Sequence, residues 1–542
     1  MSDAGGLDLE MLEQLKGVFA RLENPVTLRI EKGGDENPQS AELEQMLKAV
    51  ASASPNVKVE HGPRVSPGTA PAFEILRGTP GVQRTGIRFR AIPGGHEFSS
   101  LVLAILHADG KGKLPDEAVT QRIRALRGPI RLRTYMSLSC ENCPEVVQAL
   151  NLMAALHPDF EHTTIDGALA QDEVTALAIQ GVPAVVAPGA SESEWSLLHS
   201  GKIALIDLLA KLEARFGKNE AAVTTPKDLG RFDVVVVGGG PAGASAAIYS
   251  VRKGLSTVVL AERFGGQLQD TKGIENMISK SYTEGVRLSA ELAEHLGKYP
   301  VRLLEHRRVS RVGPRDGEGY RRVDLEGGET LEARTLIVAT GAKWRELGVP
   351  GEKEHIGQGV AFCAHCDGPF YKQKRVVVVG GGNSGVEAAI DLSAIATHVT
   401  LLEFNTELKA DGVLVEKLKT LGNVVVHTGA RTTRVVGEGG KVVGLEYEDR
   451  ESGQVKRLDV DGVFVQIGLL PNSQFVKGIV ETTPYGEIVV DSKGRTNAPG
   501  IYAAGDVTTV PFKQIVIAMG EGAKVALAAF EDRMREAPTP PV

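Results

Sequence analysis

Apolar positions along the chain change period repeatedly, and each change marks an element. Leu12, Leu15, Val18, Phe19 and Leu22 recur at helical spacing, and Pro25 ends that run. Val26-Thr27-Leu28-Arg29-Ile30 then alternates as a strand does. A second helix is predicted through Leu43, Met46, Leu47 and Val50, then a strand at Val57-Lys58-Val59. Strands over 70–76 and 88–92 and a helix from Phe98 to His107 complete the set. The same order then returns. A helix from Glu117 to Leu126 precedes a strand from Ile130 to Tyr135, a helix from Cys140 to Leu156 and a strand from Phe160 to Ile165. Val182-Pro183-Ala184-Val185-Val186 matches Ala70-Pro71-Ala72-Phe73, and a strand from Trp195 to His199 and a helix from Ile203 to Phe216 close the copy. The order β-α-β, proline-β-β-α thus occurs twice, an internal repeat. Such a proline often follows an X–Pro bond that can be cis, which would place backbone beside the dithiol.

The second half of the chain reads differently. Asp233-Val234-Val235-Val236-Val237 is a continuous apolar run, the pattern of a strand buried on both faces. It leads into Gly238-Gly239-Gly240-Pro241-Ala242-Gly243, a small-residue helix from Ala244 to Lys253, and a strand from Val258 to Ala261 that ends at Glu262. Lys374 to Val379 repeats the frame into Gly380-Gly381-Gly382-Asn383-Ser384-Gly385, and Val399 to Leu402 ends at Glu403. A lone G-x-G-x-x-G is a weak signal. Set between a strand and a helix, with an acid closing the next strand, it predicts a dinucleotide site. The glycines let backbone approach a pyrophosphate, the helix N-terminus stabilises its charge, and the acid accepts ribose hydroxyls. At the second turn Glu403 repels a 2′-phosphate, and Phe404 and Asn405 bring no arginine to hold one, so NADH is expected over NADPH. Ile501 to Asp506 is a strand closing on Gly-Asp, followed by a helix from about Gln514 to Phe530. The first dinucleotide domain therefore resumes here after interruption by the second.

Composition narrows the class. A length of 542 residues allows three or four domains, and 42% hydrophobic with 24% charged residues is ordinary for a globular chain. A net charge of −7 gives no reason to expect binding to nucleic acid. No apolar run reaches the roughly 18 residues of a membrane helix. Met1-Ser2-Asp3-Ala4 lacks the features of a secretory signal, so the expected compartment is the cytoplasm. Gly217 to Arg231 is polar and reads as a linker that tethers what precedes it.

The chain has four cysteines, and all four fall into two C-x-x-C pairs, Cys140 with Cys143 and Cys363 with Cys366. In a reducing compartment such pairs are redox-active or bind metal. These two lie in different halves of the chain, far beyond the spacing of a zinc site, and no metal is expected. Cys140 is expected to open its helix, where free N–H groups favour a thiolate; Cys143, one turn on, then closes the ring, and Pro144 suits the first turn. Asp367, beside Cys366, is the acid of the second motif. Two readings stand for it: a proton carrier during disulfide exchange, or a turn former before Gly368-Pro369. His365 reads as a spacer. The first copy carries Glu31-Lys32-Gly33-Gly34 where the second carries its thiols. It is either scaffold, or it contributes Glu97, at the start of its last helix, to the proton balance of the dithiol.

Gly240-Pro241-Ala242-Gly243, Gly265-Gly266-Gln267-Leu268, Ala339-Thr340-Gly341, the Cys363 to Gly368 centre and Ala504-Gly505-Asp506 resemble the low-molecular-weight thioredoxin reductase family, from about residue 232 onward. The N-terminal tandem, Tyr135 to Pro144, Gly380 to Asp391 and Leu401-Leu402-Glu403-Phe404 extend the likeness. Essentially the whole chain is similar to the flavoprotein subunits of bacterial alkyl hydroperoxide reductases. The resemblance implies an α/β chain: two tandem thioredoxin-like folds, then two Rossmann-like domains, the FAD domain interrupted by the NADH domain. The expected boundaries are 1–112 for a thioredoxin-like fold without cysteines, 113–216 for one with C-x-x-C, 217–231 for the linker, 232–346 and 471–542 for the FAD domain, and 347–470 for the NADH domain.

It further implies FAD on Gly238, Gly240, Pro241, Ala242 and Gly243, with Glu262 on its adenosine ribose. Gln267, Asn276 and Asp506 lie along that cofactor, and Gln514 lies near the flavin ring. NADH is implied on Gly380, Gly382, Asn383, Ser384, Gly385 and Glu403. Cys366 faces the flavin, Cys363 is the exchanging thiol, and Asp367 moves the proton. Cys140 attacks the disulfide of a partner, Cys143 resolves it, and the partner is a two-cysteine peroxiredoxin that detoxifies hydroperoxides. A homodimer is implied as well. Because these steps do not fit one geometry, the NADH domain is expected to rotate against the FAD domain, with hinges near Leu347 and Leu470. The alternative enzyme reading is an NADH-dependent reductase of a thioredoxin- or glutaredoxin-like carrier. A flavin-containing redox sensor is the alternative outside catalysis.

Overall fold

A computed structural model describes residues 9–32, 38–64, 71–78, 83–140, 142–179, 181–189, 194–219, 227–271 and 273–535. Met1 to Ala4, Gly33, Gly34, Ala70, Glu141 and 220–226 of the expected linker lie outside them, and of His365 and Cys366 the backbone alone is described. The chain divides into two units between Pro226 and Lys227.

The first unit runs α1 (Leu9–Phe19), β1 (Val26–Lys32), α2 (Pro38–Ala51), β2 (Val57–Arg64), β3 (Ala72–Arg77), β4 (Gln83–Arg90) and α3 (Phe98–Ala108). The second copy follows as α4 (Glu117–Arg124), β5 (Ile130–Met136), α5 (Cys143–Leu156), β6 (Phe160–Asp166), α6 (Gln171–Ala176), β7 (Ala184–Pro188), β8 (Trp195–Ser200) and α7 (Leu205–Phe216). The alternation in β1 puts Val26, Leu28 and Ile30 in the core, and the helical period of α5 does the same for Val146, Val147, Leu150 and Met153.

The repeat shows in the pairing. β1 is parallel to β2 and antiparallel to β3, and β5 is parallel to β6 and antiparallel to β7. The copies also share one sheet, in the order β2-β1-β3-β4-β6-β5-β7-β8. The seam is a parallel pair in which Ile87 to Arg90 face His162 to Ile165. It removes one open edge from each half. Gly86 makes the close approach possible: it has φ +75, and a Cβ there would lie 2.0 Å from the Phe160 carbonyl oxygen. Glu173 of α6 ties the halves together, accepting from Arg90 of β4 at 2.6 Å and from the Tyr135 hydroxyl of β5 at 2.7 Å.

The second unit opens with β9 (Asp228–Val237), α8 (Pro241–Val251), β10 (Thr257–Leu260), α9 (Gly285–Gly297), β11 (Arg302–Leu304), β12 (Val309–Arg315), β13 (Arg321–Leu325), β14 (Thr330–Val338) and β15 (Ala342–Trp344). Then come β16 (Val360–Ala361), α10 (Ala364–Asp367), β17 (Arg375–Val379), α11 (Asn383–Ser393), β18 (His398–Leu402), α12 (Gly412–Lys419) and β19 (Val424–His427). The last described elements are β20 (Ala430–Glu438), β21 (Lys441–Asp449), β22 (Val455–Leu458), β23 (Gly462–Val465), β24 (Leu469–Pro471), β25 (Ile501–Ala503) and α13 (Ile515–Arg535).

One sheet has the order β11-β10-β9-β14-β13-β12, with β25 beside β14. A second, all parallel, has the order β16-β23-β17-β18-β19. β25 returns to the first sheet, with Leu336 to Val338 facing Ile501 to Ala503, after the second sheet is complete. The two crossings between these layers run side by side: β15 and β24 pair antiparallel, with Lys343 facing Leu470.

β9 starts five residues before its apolar run, inside the segment read from sequence as linker. Asp228 faces Thr330 and Arg231 faces Glu332, with an Arg231–Glu332 ion pair at 2.5 Å. Backbone pairing and charge set this end of the strand, and neither leaves a hydrophobic signature. β2 likewise runs to Arg64, beyond its three-residue apolar alternation. No helix among the described residues is long and apolar enough to cross a membrane.

Candidate redox site

The first glycine turn sits between β9 and α8. A Cβ on Gly238, which has φ +114, would lie 2.1 Å from the Ala339 carbonyl oxygen, and one on Gly243 would lie 1.9 Å from that of Gly238. Those two glycines serve the packing of helix on strand. Gly240 is different. Its backbone is extended, at φ −75 and ψ −173, and a Cβ there meets no described atom within 4 Å. The space above it is the space a pyrophosphate needs, at the end of a helix that Pro241 begins and no side chain caps. Ala242 lies against Gly505 and Gly522, which seats the helix between β25 and α13.

Residues distant in sequence collect at the same end of the sheet. Gln267 donates to the Ala342 carbonyl. Asn276 donates to Gln514 at 2.9 Å, joining the loop before α9 to the start of α13. Asp506 follows β25, and burial raises its carboxyl pKa against the opposing charge of Lys513. Glu262 stands two residues past the end of β10, and its carboxylate forms a two-pronged pair with Arg308 at 2.9 and 2.6 Å.

The second turn repeats the geometry. Cβ atoms would lie 2.3 Å from the Gln466 carbonyl oxygen at Gly380 and 1.8 Å from that of Gly380 at Gly385, whereas at Gly382 one meets no described atom within 4 Å. Gly382, Asn383 and Ser384 open α11, and Asn383 exchanges hydrogen bonds with Asp411 at 3.0 and 2.8 Å. Glu403 is only 6% exposed. It accepts from the Gly381 amide at 2.6 Å and the Asn405 amide at 2.8 Å. Both turns thus fit a dinucleotide, because each keeps one glycine that the protein's own packing does not require.

Phe404 and Asn405 bring no arginine with them, but one reaches Phe404 from elsewhere in the chain. Arg450, just past β21, places its guanidinium carbon 4.1 Å from the centre of the Phe404 ring. It is far away in sequence, so no local pattern announces it.

Cys363 lies just before α10 and is disulfide-bonded. Its carbonyl accepts from the Asp367 amide at 3.0 Å, and the Phe362 carbonyl accepts from Gln466 at 2.8 Å. Gln466 is therefore common to the dithiol segment and the second glycine turn. Burial pushes the Asp367 carboxyl up to about 6, against a backbone hydrogen bond from Cys363. The turn Gly368–Tyr371 that follows receives no capping bond from the Asp367 side chain. A turn-forming role therefore has no hydrogen bond behind it.

In the first unit Cys140 and Cys143 form a disulfide, with Cα atoms 5.5 Å apart. Cys140 does not open the helix: α5 begins at Cys143 with Asn142 as its cap. The Cys140 amide donates instead to the Ser137 carbonyl at 3.0 Å, which keeps the residue in a turn ahead of the helix. Cys143 is fully buried, while Cys140 is partly exposed. The Cys140 sulfur lies 3.8 Å from the Val182 carbonyl oxygen, and the Val182-Pro183 bond is cis. The first copy reaches this region. The His96 amide donates to the Leu138 carbonyl at 3.2 Å, and Glu97, in the same turn, is completely buried. Burial pushes its carboxyl up to about 7, partly offset by the Ser100 hydroxyl.

The model of the pyridine nucleotide-disulphide oxidoreductase family matches residues 232–522. The F subunit of alkyl hydroperoxide reductase from Pseudomonas aeruginosa is 49% identical over 530 residues, 98% of this chain and 99% of its own. A protein named NADH dehydrogenase from Bacillus subtilis is 44% identical over 529 residues, again 98% and 99% of the two chains. The solved thioredoxin reductase of Streptococcus pyogenes is 34% identical with a TM-score of 0.53, covering 56% of this chain and 99% of its own.

Proposed function

Because the chain belongs to the family of the alkyl hydroperoxide reductase F subunits, we infer that its two dithiols work in series between a nicotinamide cofactor and a partner's disulfide. The chain is a flavoprotein disulfide reductase of the pyridine nucleotide-disulphide class and takes its electrons from NADH. FAD on the first turn and NADH on the second are our assignment. It is supported by the space at Gly240 and Gly382 and by the buried carboxylate of Glu403 beside the second turn. When bound, the flavin supplies two-electron exchange between nicotinamide and disulfide.

In this reading Cys366 takes the electrons and Cys363 passes them on. Asp367 exchanges the accompanying proton, a task suited to a carboxyl held at about 6. A Cys363 thiolate attacks the Cys140–Cys143 disulfide, and the Cys366 thiolate resolves the mixed disulfide, leaving Cys140 and Cys143 reduced. The Cys140 thiolate then attacks a sulfur of the partner's disulfide, and Cys143 expels the partner as a dithiol while the pair re-forms its own bond. The partner we propose is a two-cysteine peroxiredoxin, in keeping with the relatives' name. A homodimer and a cytoplasmic setting complete the reading, the latter fitting a chain whose cysteines occur only as redox pairs. The expected division into six segments is proposed with it, except that the linker ends before β9 begins at Asp228.

The observation that carries the reading is the presence, in one chain, of two open glycine turns and two oxidised cysteine sites. The test is NADH oxidation by the FAD-loaded protein with an oxidised two-cysteine peroxiredoxin and peroxide. Cys140→Ser should stop that turnover and still reduce a small disulfide reagent through Cys363 and Cys366. Undiminished peroxiredoxin turnover in Cys140→Ser would remove the first unit's dithiol from the path.

A further inference from the structure

We propose that Phe404 and Arg450 form the platform on which the adenine of the nicotinamide dinucleotide rests, so that Arg450 sets affinity for the adenosine end. The proposal builds on the reading of the second glycine turn as the nicotinamide dinucleotide site. Phe404 directly follows Glu403 at the end of the strand and is 50% exposed. A dinucleotide with its pyrophosphate above Gly382 and its adenosine ribose at the strand-end acid carries its adenine past that acid. The next residue there is Phe404.

Two hydrogen bonds of its own and the backbone bonds of its neighbours hold Arg450 in place. Its amide donates to the Gly429 carbonyl at 2.8 Å, the Gly429 amide donates to the Asn405 carbonyl at 2.7 Å, and the Ala430 amide donates to the Glu403 carbonyl at 2.9 Å. Its Nη1 donates to the Phe404 carbonyl at 2.9 Å, with the guanidinium 4.1 Å from the ring centre. Three segments are thereby fastened around one exposed aromatic and one exposed cation. Aromatic and guanidinium surfaces both stack on purine bases.

An arginine near a ribose is also the usual holder of a 2′-phosphate. Here one of its nitrogens is committed to the Phe404 carbonyl, and the carboxylate of Glu403 lies next to the ring in sequence. Both favour a base over a phosphate.

The test uses the FAD-loaded full chain reducing a small disulfide reagent, with NADH, NADPH or reduced nicotinamide mononucleotide as donor. The mononucleotide carries the same reacting ring and no adenosine. Arg450→Met should raise the KM for NADH about ten-fold, the scale of one lost base stack, with kcat kept and the KM for the mononucleotide unchanged. Arg450→Lys keeps the charge and loses the planar face, and should behave as Arg450→Met does. The platform is overturned by an unchanged KM for NADH, by an equal rise for the mononucleotide, or by a loss confined to NADPH, which would make Arg450 a phosphate clamp. Gly382→Val tests the turn apart from the platform. If it leaves the KM for NADH unmoved, the reading of the turn fails; if it raises that KM while both Arg450 variants leave it alone, the platform alone fails.

Discussion

The Glu403 carboxylate accepts the Gly381 amide at 2.6 Å, so the acid that ends one strand closes the glycine turn that ends its neighbour. Its other oxygen accepts from the Asn405 amide at 2.8 Å. Glu262, in the matching place beside the first turn, faces outward to Arg308 instead. Two acids at corresponding positions therefore do different work: one is part of its turn, the other part of a surface ion pair.

Glu403→Gln should destabilise the domain that carries it. One oxygen is replaced by an amide N–H₂, which then faces a donor from Gly381 or Asn405, at a cost of about 1–3 kcal/mol. Loss of the carboxylate should also narrow the preference for NADH over NADPH. Thermal melting and the ratio of KM values for the two donors check this. An unchanged melting midpoint would mean that the turn closes without the acid.

The glycines of the first turn should separate by role. Gly240→Val adds a side chain where the protein has room, and should leave the fold intact while visible flavin absorbance of the purified protein falls steeply. Gly243→Ala drives a methyl to within 1.9 Å of the Gly238 carbonyl oxygen and should cost about 1–3 kcal/mol through overpacking. Equal loss of stability in both variants would argue against an open site above Gly240.

Asp367 should give a pH-dependent stability of known sign. Its carboxyl is raised by burial from 3.8 to about 6. The folded state therefore binds a proton that the unfolded chain releases, and stability falls as pH rises from the ordinary carboxyl range through about 6. Asp367→Asn stays neutral throughout. It should match the parent protein at low pH and exceed it above neutrality by roughly 1–3 kcal/mol, while slowing reduction of a small disulfide reagent by about a hundred-fold. Faster or equal turnover in that variant would leave the carboxyl without a part in proton transfer.

Glu97 follows the same sign in a different window, between 4.5 and about 7. Glu97→Gln should raise the melting temperature above that window and leave it alone below. The second readout is the thiol pKa of Cys140 in the reduced protein. A downward or upward move would place the first copy's carboxyl in the proton balance of the second copy's dithiol. An identical thiol pKa would leave the first copy as scaffold.

The parts of this chain legible from sequence are those where one local constraint decides. The valine run before Gly238, the spacing of Gly238, Gly240 and Gly243, and the acid at Glu262 each follow from strand, turn and helix geometry within a few dozen residues. The same holds for the second turn and for the two C-x-x-C pairs. The repeat in the first unit was legible because periodicity survives where side chains differ.

What tertiary structure decided has no local trace. Pairing of β4 with β6 joined the two copies into one sheet, and a strand edge does not record its partner in sequence. Asn276 meets Gln514, and Arg450 meets Phe404, across separations that only the closed sheets span. α5 begins at Cys143, later than the helical period alone gives, with Cys140 in a turn whose amide bonds the Ser137 carbonyl. Burial did the rest. Asp367 and Glu97 are ordinary carboxylates in sequence, and each comes to titrate near neutrality because the fold removes it from water.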